Sequence, residues 1–338
     1  MNPRTARLIA ENRIYIFVVV AFALAFLLVP QLQGVLPMKN LVQRATIDGI
    51  MAVGMTVVLL SGQLDLSVGS ILALSGVVAL GLQGDIGPIP AAFAGILAGG
   101  LVGVANGLLV VKAGINSFIV TLASMIAVRG IALTISGAGP IRGVDSAFGP
   151  SVDKAILGPV WKDLPLGTFL TPRILIFLAL LLVAHVILLR IREGRNVYAV
   201  GGNPEAARLS GINTELYTIG AFVFCGLTAG LAGTLLGLSL NTGTPTVGSA
   251  GALPVIAAVV IGGTALTGGS GSMLKTLMGV LLIALVSTAM NLFGLQVYLQ
   301  NVVLGVVLIL VVLIDSLYSA WRTRLVIAGQ PGSTRAAQ

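Results

Sequence analysis

Hydrophobic positions in this chain neither alternate nor recur at helical spacing; they run on. Continuous apolar segments cover about 14–34, 41–61, 66–83, 88–111 and 117–137 and, after a long polar loop, about 173–190, 216–240, 252–267, 273–294 and 297–321. Each is close to the ~20 residues a helix needs to cross a bilayer, and the shorter ones suit tilted or broken helices. A transmembrane barrel would instead show weakly alternating segments of about ten residues. The pattern predicts an all-α polytopic membrane protein of about ten transmembrane helices. It divides into a terminal segment 1–13, one transmembrane domain 14–321 and a tail 322–338. Two polar stretches, 138–172 and 191–215, interrupt the domain.

Composition agrees. Of 338 residues 57% are hydrophobic and only 9% charged, and mean hydropathy is +1.05; soluble domains carry about a quarter charged residues. Forty-four glycines fit close helix packing and broken helices inside a bilayer. The first apolar run has no small-residue cleavage site and many runs follow it, so it reads as a retained span.

The net charge of +8 sorts by side rather than pointing to nucleic acid. With ten spans and both termini inside, the inner pieces hold Arg4, Arg7, Arg13, Lys112, Arg190, Arg192, Arg195, Arg208, Lys275, Arg322, Arg324 and Arg335. The outer pieces hold Lys39, Arg44, Arg142, Lys154, Lys162 and Arg173. Twelve against six favours both termini in the cytoplasm. The loop 138–172 is then periplasmic and the loop 191–215 cytoplasmic.

An internal repeat is visible. Val68-Gly69-Ser70 before Ala73-Leu74 matches Val247-Gly248-Ser249 before Ala252-Leu253 at an offset of 179, and Asn106 and Asn116 match Asn291 and Asn301 at 185. Two five-span halves of opposite orientation are the inverted repeat common in transporters.

The longest Arg-rich polar run is REGRNVYAVGGNPEAARLSGINTELY, Arg192 to Tyr217. It reads as loop, short helix, loop. Asn203 caps, Pro204 takes the first helical position, Glu205, Ala206, Ala207, Arg208 and Leu209 form the helix, and Gly211 stops it. So short a helix between two spans has no core of its own and must lie on the membrane or dock into another protein. We take docking as the working reading.

Several polar groups near the spans could line a solute path. Gly62 to Ser70, GQLDLSVGS, places Gln63, Asp65 and Ser67 between two apolar runs. Either the helix breaks there and these groups face the path, or Asp65 caps the next span at the cytoplasmic edge. Arg129 lies deep in a span, too far to snorkel, with Asp65 as one available partner. Asn106, Asn116, Asn241, Asn291 and Asn301, with Thr246, offer neutral donors and acceptors suited to an uncharged polyol, or to tying helices together.

A proton relay would need several buried acids or histidines, and His185 is the only histidine. One histidine and one cysteine, Cys225, make a metal site improbable and exclude an intrachain disulfide. The glycine-rich Gly262 to Ser272 lacks the Lys-Ser/Thr ending of a phosphate-binding loop and reads as a tight turn between packed helices.

The ordered motifs GQLDLSVGS, NSFIVTLASMIAVRGIAL, GRNVYAVGGNPEAARLSGIN and LPVIAAVVIGGTALTGGSGS resemble the permease subunits of ribose-type sugar ABC importers, over about residues 40–315. The resemblance implies a multi-pass inner-membrane subunit that pairs with a second copy or a paralogue. It also implies a cytoplasmic ATPase below, which alone holds ATP and Mg, and a periplasmic sugar-binding protein above. No cofactor is implied for this chain. The helix Pro204–Leu209 would be the coupling helix that seats in the ATPase. Gln63 departs from the small residue many relatives carry there, so selectivity is not simply transferable. The rival readings are a same-fold permease for an amino acid or nucleoside, and an ion-coupled secondary carrier. The few buried acids and the docking helix weigh against the carrier.

Overall fold

The computed structural model describes residues 3–145, 147–156, 169–249, 252–296, 298–303, 305–306, 309 and 313. Its order is α1 (Pro3–Leu28), a 3₁₀ turn (Pro30–Gln33), α2 (Val35–Leu60), α3 (Val68–Gly81), α4 (Gln83–Ile86), α5 (Pro88–Val111) and α6 (Ser117–Ile135). There follow β1 (Ile141–Arg142), α7 (Phe148–Ser151), α8 (Pro172–Arg190), α9 (Arg192–Gly202), α10 (Pro204–Leu209) and α11 (Thr214–Leu240). β2 (Thr242–Gly243), α12 (Ala252–Ile261) and α13 (Met273–Leu292) complete it.

Six helices, α2, α5, α6, α8, α11 and α13, are long and apolar enough to cross a membrane, and Ile14–Leu28, α3 and α12 are shorter apolar helices. Nine of the ten expected spans therefore have a helix. The tenth, 297–321, falls largely outside the described residues, as do the tail 322–338 and residues 157–168 of the long loop.

Two expected spans are cut short. The run 66–83 is helical only over α3, and 252–267 only over the ten residues of α12. At 1.5 Å per residue these helices are about 21 and about 15 Å long, less than the ~30 Å of hydrocarbon. The 192–202 loop is corrected too: it is a helix, because Gly194, Val197, Val200 and Gly201 share one buried face. Tertiary burial overrides three unfavourable glycines.

The repeat reappears in the element order. α11 starts 179 residues after α2, α12 184 after α3, and α13 185 after α5. The second half thus carries about five extra residues, mostly in the longer connection before α12. That connection holds Val247-Gly248-Ser249, whereas Val68-Gly69-Ser70 opens α3 itself.

α11 is the central helix and packs on α2, α3 and α5. Close approach to α5 depends on glycine at every fourth position. Gly95, Gly99, Gly103 and Gly107 are all buried, and a Cβ on Gly103 would stand 2.3 Å from the Phe222 carbonyl oxygen. Such helix contacts in a bilayer are driven by van der Waals packing, which only small residues allow at this range.

The segment after α6 folds back onto the end of α11. β1 pairs antiparallel with β2, Gly143 N–H donates to the Asn241 carbonyl at 3.0 Å, and Asp153 accepts from Ser239 and pairs with buried Arg173 at 2.8 Å. Residues 1–294 form one compact unit and 295–338 a second; in the second, the described residues from Tyr298 onward are helical.

Candidate functional site

The connection between α2 and α3 is built around Asp65. α2 ends with Gln63 N–H still reaching the Val58 carbonyl at 3.0 Å, and Gly62 turns the chain at φ +77°. Asp65 Oδ1 then accepts from Ser67 N–H at 2.8 Å and Ser67 O–H at 2.6 Å. Asn106 of α5 donates to Ser67 Oγ at 3.0 Å and accepts from Ser124 of α6. Ser70 O–H reaches the Met125 carbonyl at 2.7 Å. Asp65, Ser67 and Asn106 have 0% exposure. Three sequence-picked polar residues therefore meet, but wrapped inside the subunit, where they lock α3 to α5 and α6. Ser67, not Asp65, occupies the cap position of α3. Asp65 binds one step earlier, and inside the fold rather than at an edge.

Arg129 makes a different junction. Its guanidinium donates to the carbonyls of Pro245 and Val247 and, at 3.4 Å, to that of Gly69. The pairing with Asp65 does not form; among the described residues the ion pairs are Arg44–Asp48, Lys112–Glu215 and Arg173–Asp153. Gly248, at φ +67°, lies so close to α3 that a Cβ would stand 2.7 Å from the Gly69 carbonyl oxygen. The two Val-Gly-Ser triplets of the repeat thus touch, and Arg129 clamps them.

Asn116 and Asn241 are engaged elsewhere. Asn116 caps α6 through Phe118 N–H at 2.9 Å. Asn241 ends α11 in the left-handed region at φ +47° and its amide reaches Gly143 O at 3.4 Å. Thr246, Asn291 and Asn301 are exposed, and Gln63 is half-buried. Cys225 is buried and free. No cluster of three or more metal-ligating side chains occurs among the described residues.

Within the 191–215 region, α10 has the cap and the stop that its residues predict. Asn203 Oδ1 accepts from Ala206 N–H at 2.9 Å, Pro204 opens α10, and Gly211 at φ +81° ends it with Ile212 N–H on the Ala207 carbonyl at 3.0 Å. Within α10 only Ala207 is buried, and Leu209 stands 85% exposed. A protruding leucine on a polar, capped helix is a knob without a hole among the described residues.

Sequence reasoning missed the seat behind that knob. Gly201, at the end of α9, packs so tightly that a Cβ would lie 1.8 Å from the Leu60 carbonyl oxygen and 2.9 Å from Gly269 N. Gly269 N–H donates to the same Leu60 carbonyl at 3.0 Å. Gly268 backs onto Gly62 and the Gly201 carbonyl. Tyr198 O–H reaches the Gly271 carbonyl at 3.1 Å, and burial pushes its phenol above the ordinary range. Backbone meets backbone, so α10 is tied through α9 both to the Ser61–Ser67 connection and to the turn after α12. The glycine spacing in Gly201-Gly202 and Gly268-Gly269 was the available signal.

Comparison with known proteins gives the family. The family described as branched-chain amino acid transport system / permease component matches residues 38–312. The ribose import permease protein of Escherichia coli strain K12 is 37% identical over 307 residues, covering 90% of this chain and 94% of that protein. The L-arabinose ABC transporter permease protein of Azospirillum brasilense is 36% identical, covering 91% and 88%. The xylose transport system permease protein of E. coli K12 is 34% identical, covering 82% and 84%. No solved structure matches the chain.

Proposed function

This chain belongs to the permease-component family of ABC importers, in the branch of the ribose, arabinose and xylose permeases, and from that premise we propose how it works as the membrane subunit of a sugar importer. It is a multi-pass inner-membrane transport subunit for a monosaccharide or closely similar polyol. Both termini lie in the cytoplasm, two copies or a copy and a paralogue flank the path, and a periplasmic binding protein delivers the sugar. ATP and Mg belong to a separate cytoplasmic ATPase into which α10 docks.

The observation that carries this reading is the pairing of an exposed α10 with a glycine seat that reaches both short-helix connections. ATP-driven closure of the ATPases moves α10 as a rigid body. The motion passes through α9 to Leu60–Gly62 on one side and Gly268–Gly269 on the other, at whose far ends α3 and α12 begin and end. Displacement of these two short helices switches the path between outward and inward access. Asp65, Ser67 and Asn106 keep α3 attached to α5 and α6 as it moves.

The test is ATP-driven sugar uptake into vesicles holding this chain, its ATPase and its binding protein. Replacing Glu205, Arg208 and Leu209 together with Ala should leave the chain inserted and ATP turnover measurable, with uptake reduced to background. Full uptake in that variant, or uptake by the chain alone without ATP, would overturn the docking role.

A further inference from the structure

A groove of about 310 Å³ opens between the cytoplasmic ends of α8 and α11, floored by Val57 of α2 and closed at one end by Glu193 and Gly194 of α9. It exists because small residues face one another there: Ala184 on α8, Gly220 and Ala221 on α11. Its walls are otherwise apolar, from Ile187, Leu188, Leu216 and Phe224. The surface around it is apolar and exposed as well, with Leu182, Val183, Leu189 and Leu216 each more than half exposed. An apolar groove continuous with an exposed apolar surface forfeits contacts along its whole lining unless something flexible and apolar fills it.

The chain that flanks the lining residues Leu188, Glu193 and Gly194 has the opposite character. Arg190 and Arg192 bracket Ile191 directly before Glu193, and Arg195 folds back to donate to the Arg190 carbonyl at 3.2 Å. All three arginines are exposed. Against them stands one carboxylate, Glu193, leaving a local excess of two positive charges. Tyr217, a lining residue, accepts from the Asn196 amide at 2.6 Å, which keeps its own O–H proton available to an acceptor. Apolar slot and cationic rim together match one amphiphile, since basic sites beside transmembrane helices on the cytoplasmic side recognise anionic lipid headgroups.

We propose that this groove is a binding site for one anionic phospholipid of the cytoplasmic leaflet. An acyl chain lies between α8 and α11, and the phosphate sits at Arg190, Arg192, Arg195 and Tyr217. The site adjoins α9, the seat of the docking helix, so its occupant braces the two arms that carry α10. The inference does not rest on which solute is transported.

The groove can be filled without breaking the fold, because a Cβ on Gly220 meets nothing within 4 Å. The full-length chain, extracted gently from membranes containing phosphatidylglycerol and phosphatidylethanolamine, is analysed by native mass spectrometry. Wild type should retain one phosphatidylglycerol per chain, and Gly220→Phe should lose it while keeping the wild-type elution profile. Replacing each rim arginine with Gln should lower the preference for phosphatidylglycerol over phosphatidylethanolamine by about fivefold. Equal phosphatidylglycerol retention in wild type and Gly220→Phe overturns the site, and so does loss of a second protein copy rather than of lipid. Equal retention of both lipids by wild type overturns the headgroup assignment. Should Gly220→Phe not fold, phosphatidylglycerol is titrated into delipidated wild type instead. A rise in melting temperature that saturates at one equivalent supports the site, and one that never saturates refutes it.

Discussion

The connection into α3 is seven residues long, Ser61 to Ser67, and its buried polar side chains form a chain of contacts: Asp65 Oδ1 holds Ser67, Asn106 holds Ser67, Ser124 holds Asn106, while Asp65 Oδ2 is buried without a partner. The connection into α12 runs from Asn241, and its polar burden is backbone. Pro245 and Val247 turn their carbonyls to Arg129, which belongs to α6 in the other half. One break is closed by a local network; the other borrows a cation from a distant helix. In a medium without water every backbone carbonyl needs a partner, and the two halves meet that demand by different means. A displacement of α12 relative to α6 must therefore exchange the Arg129 bonds, whereas α3 can move only with α5 and α6.

A change that strikes both connections at once should do most damage. Gly201→Val drives side-chain atoms into the Leu60 carbonyl and Gly269; overpacking of this kind costs about 1–3 kcal/mol. Uptake should fall to background even where membrane insertion, followed by blotting, persists. Next comes Arg129→Ala, which leaves three carbonyls without their donor and should cost about 2 kcal/mol. Arg129→Lys should recover only part of it, because an ammonium cannot span the same acceptors; thermal denaturation in detergent compares the three proteins. Asn106→Ala should cost about 1–2 kcal/mol, and a double-mutant cycle with Ser124→Ala should reveal positive coupling. Additive losses would mean that the first connection is not a network. The smallest effect is expected for Asp65→Asn, which keeps the Oδ1 acceptor for Ser67: a change in melting behaviour below about 1 kcal/mol, with uptake retained. A large loss of uptake at unchanged stability would place that carboxylate on the path itself.

What could be read along the chain was whatever is local. Asn203, Pro204 and Gly211 specify the start and stop of α10 from within nine residues, and all three do what their chemistry demands. The spans follow from continuous hydrophobicity, and the family from long ordered motifs. α9 was misread because Gly194, Gly201 and Gly202 disfavour a helix in isolation, and its stability comes from a seat formed with Leu60 and Gly269, far away in sequence. The partners of Arg129 escaped for a related reason. They are carbonyl oxygens, which every residue possesses, so no side chain announces them. Burial of Asp65 with Asn106 depended on how α5 crosses α3, which polarity alone does not encode.

The glycine seat beneath α9 has a consequence for how such a protein can diversify. Apart from the Tyr198 hydroxyl, its contacts run through backbone atoms, so on the proposed mechanism it transmits force with little regard to side-chain identity. On the same proposed mechanism, residues on the outer faces of α9 and α10 are free to drift toward a different ATPase, and those along the spans toward a different sugar, while the linkage between them stays unchanged. Inheritance of the mechanism then depends on a few positions that must remain without a side chain, and novelty is confined to surfaces that those positions never touch.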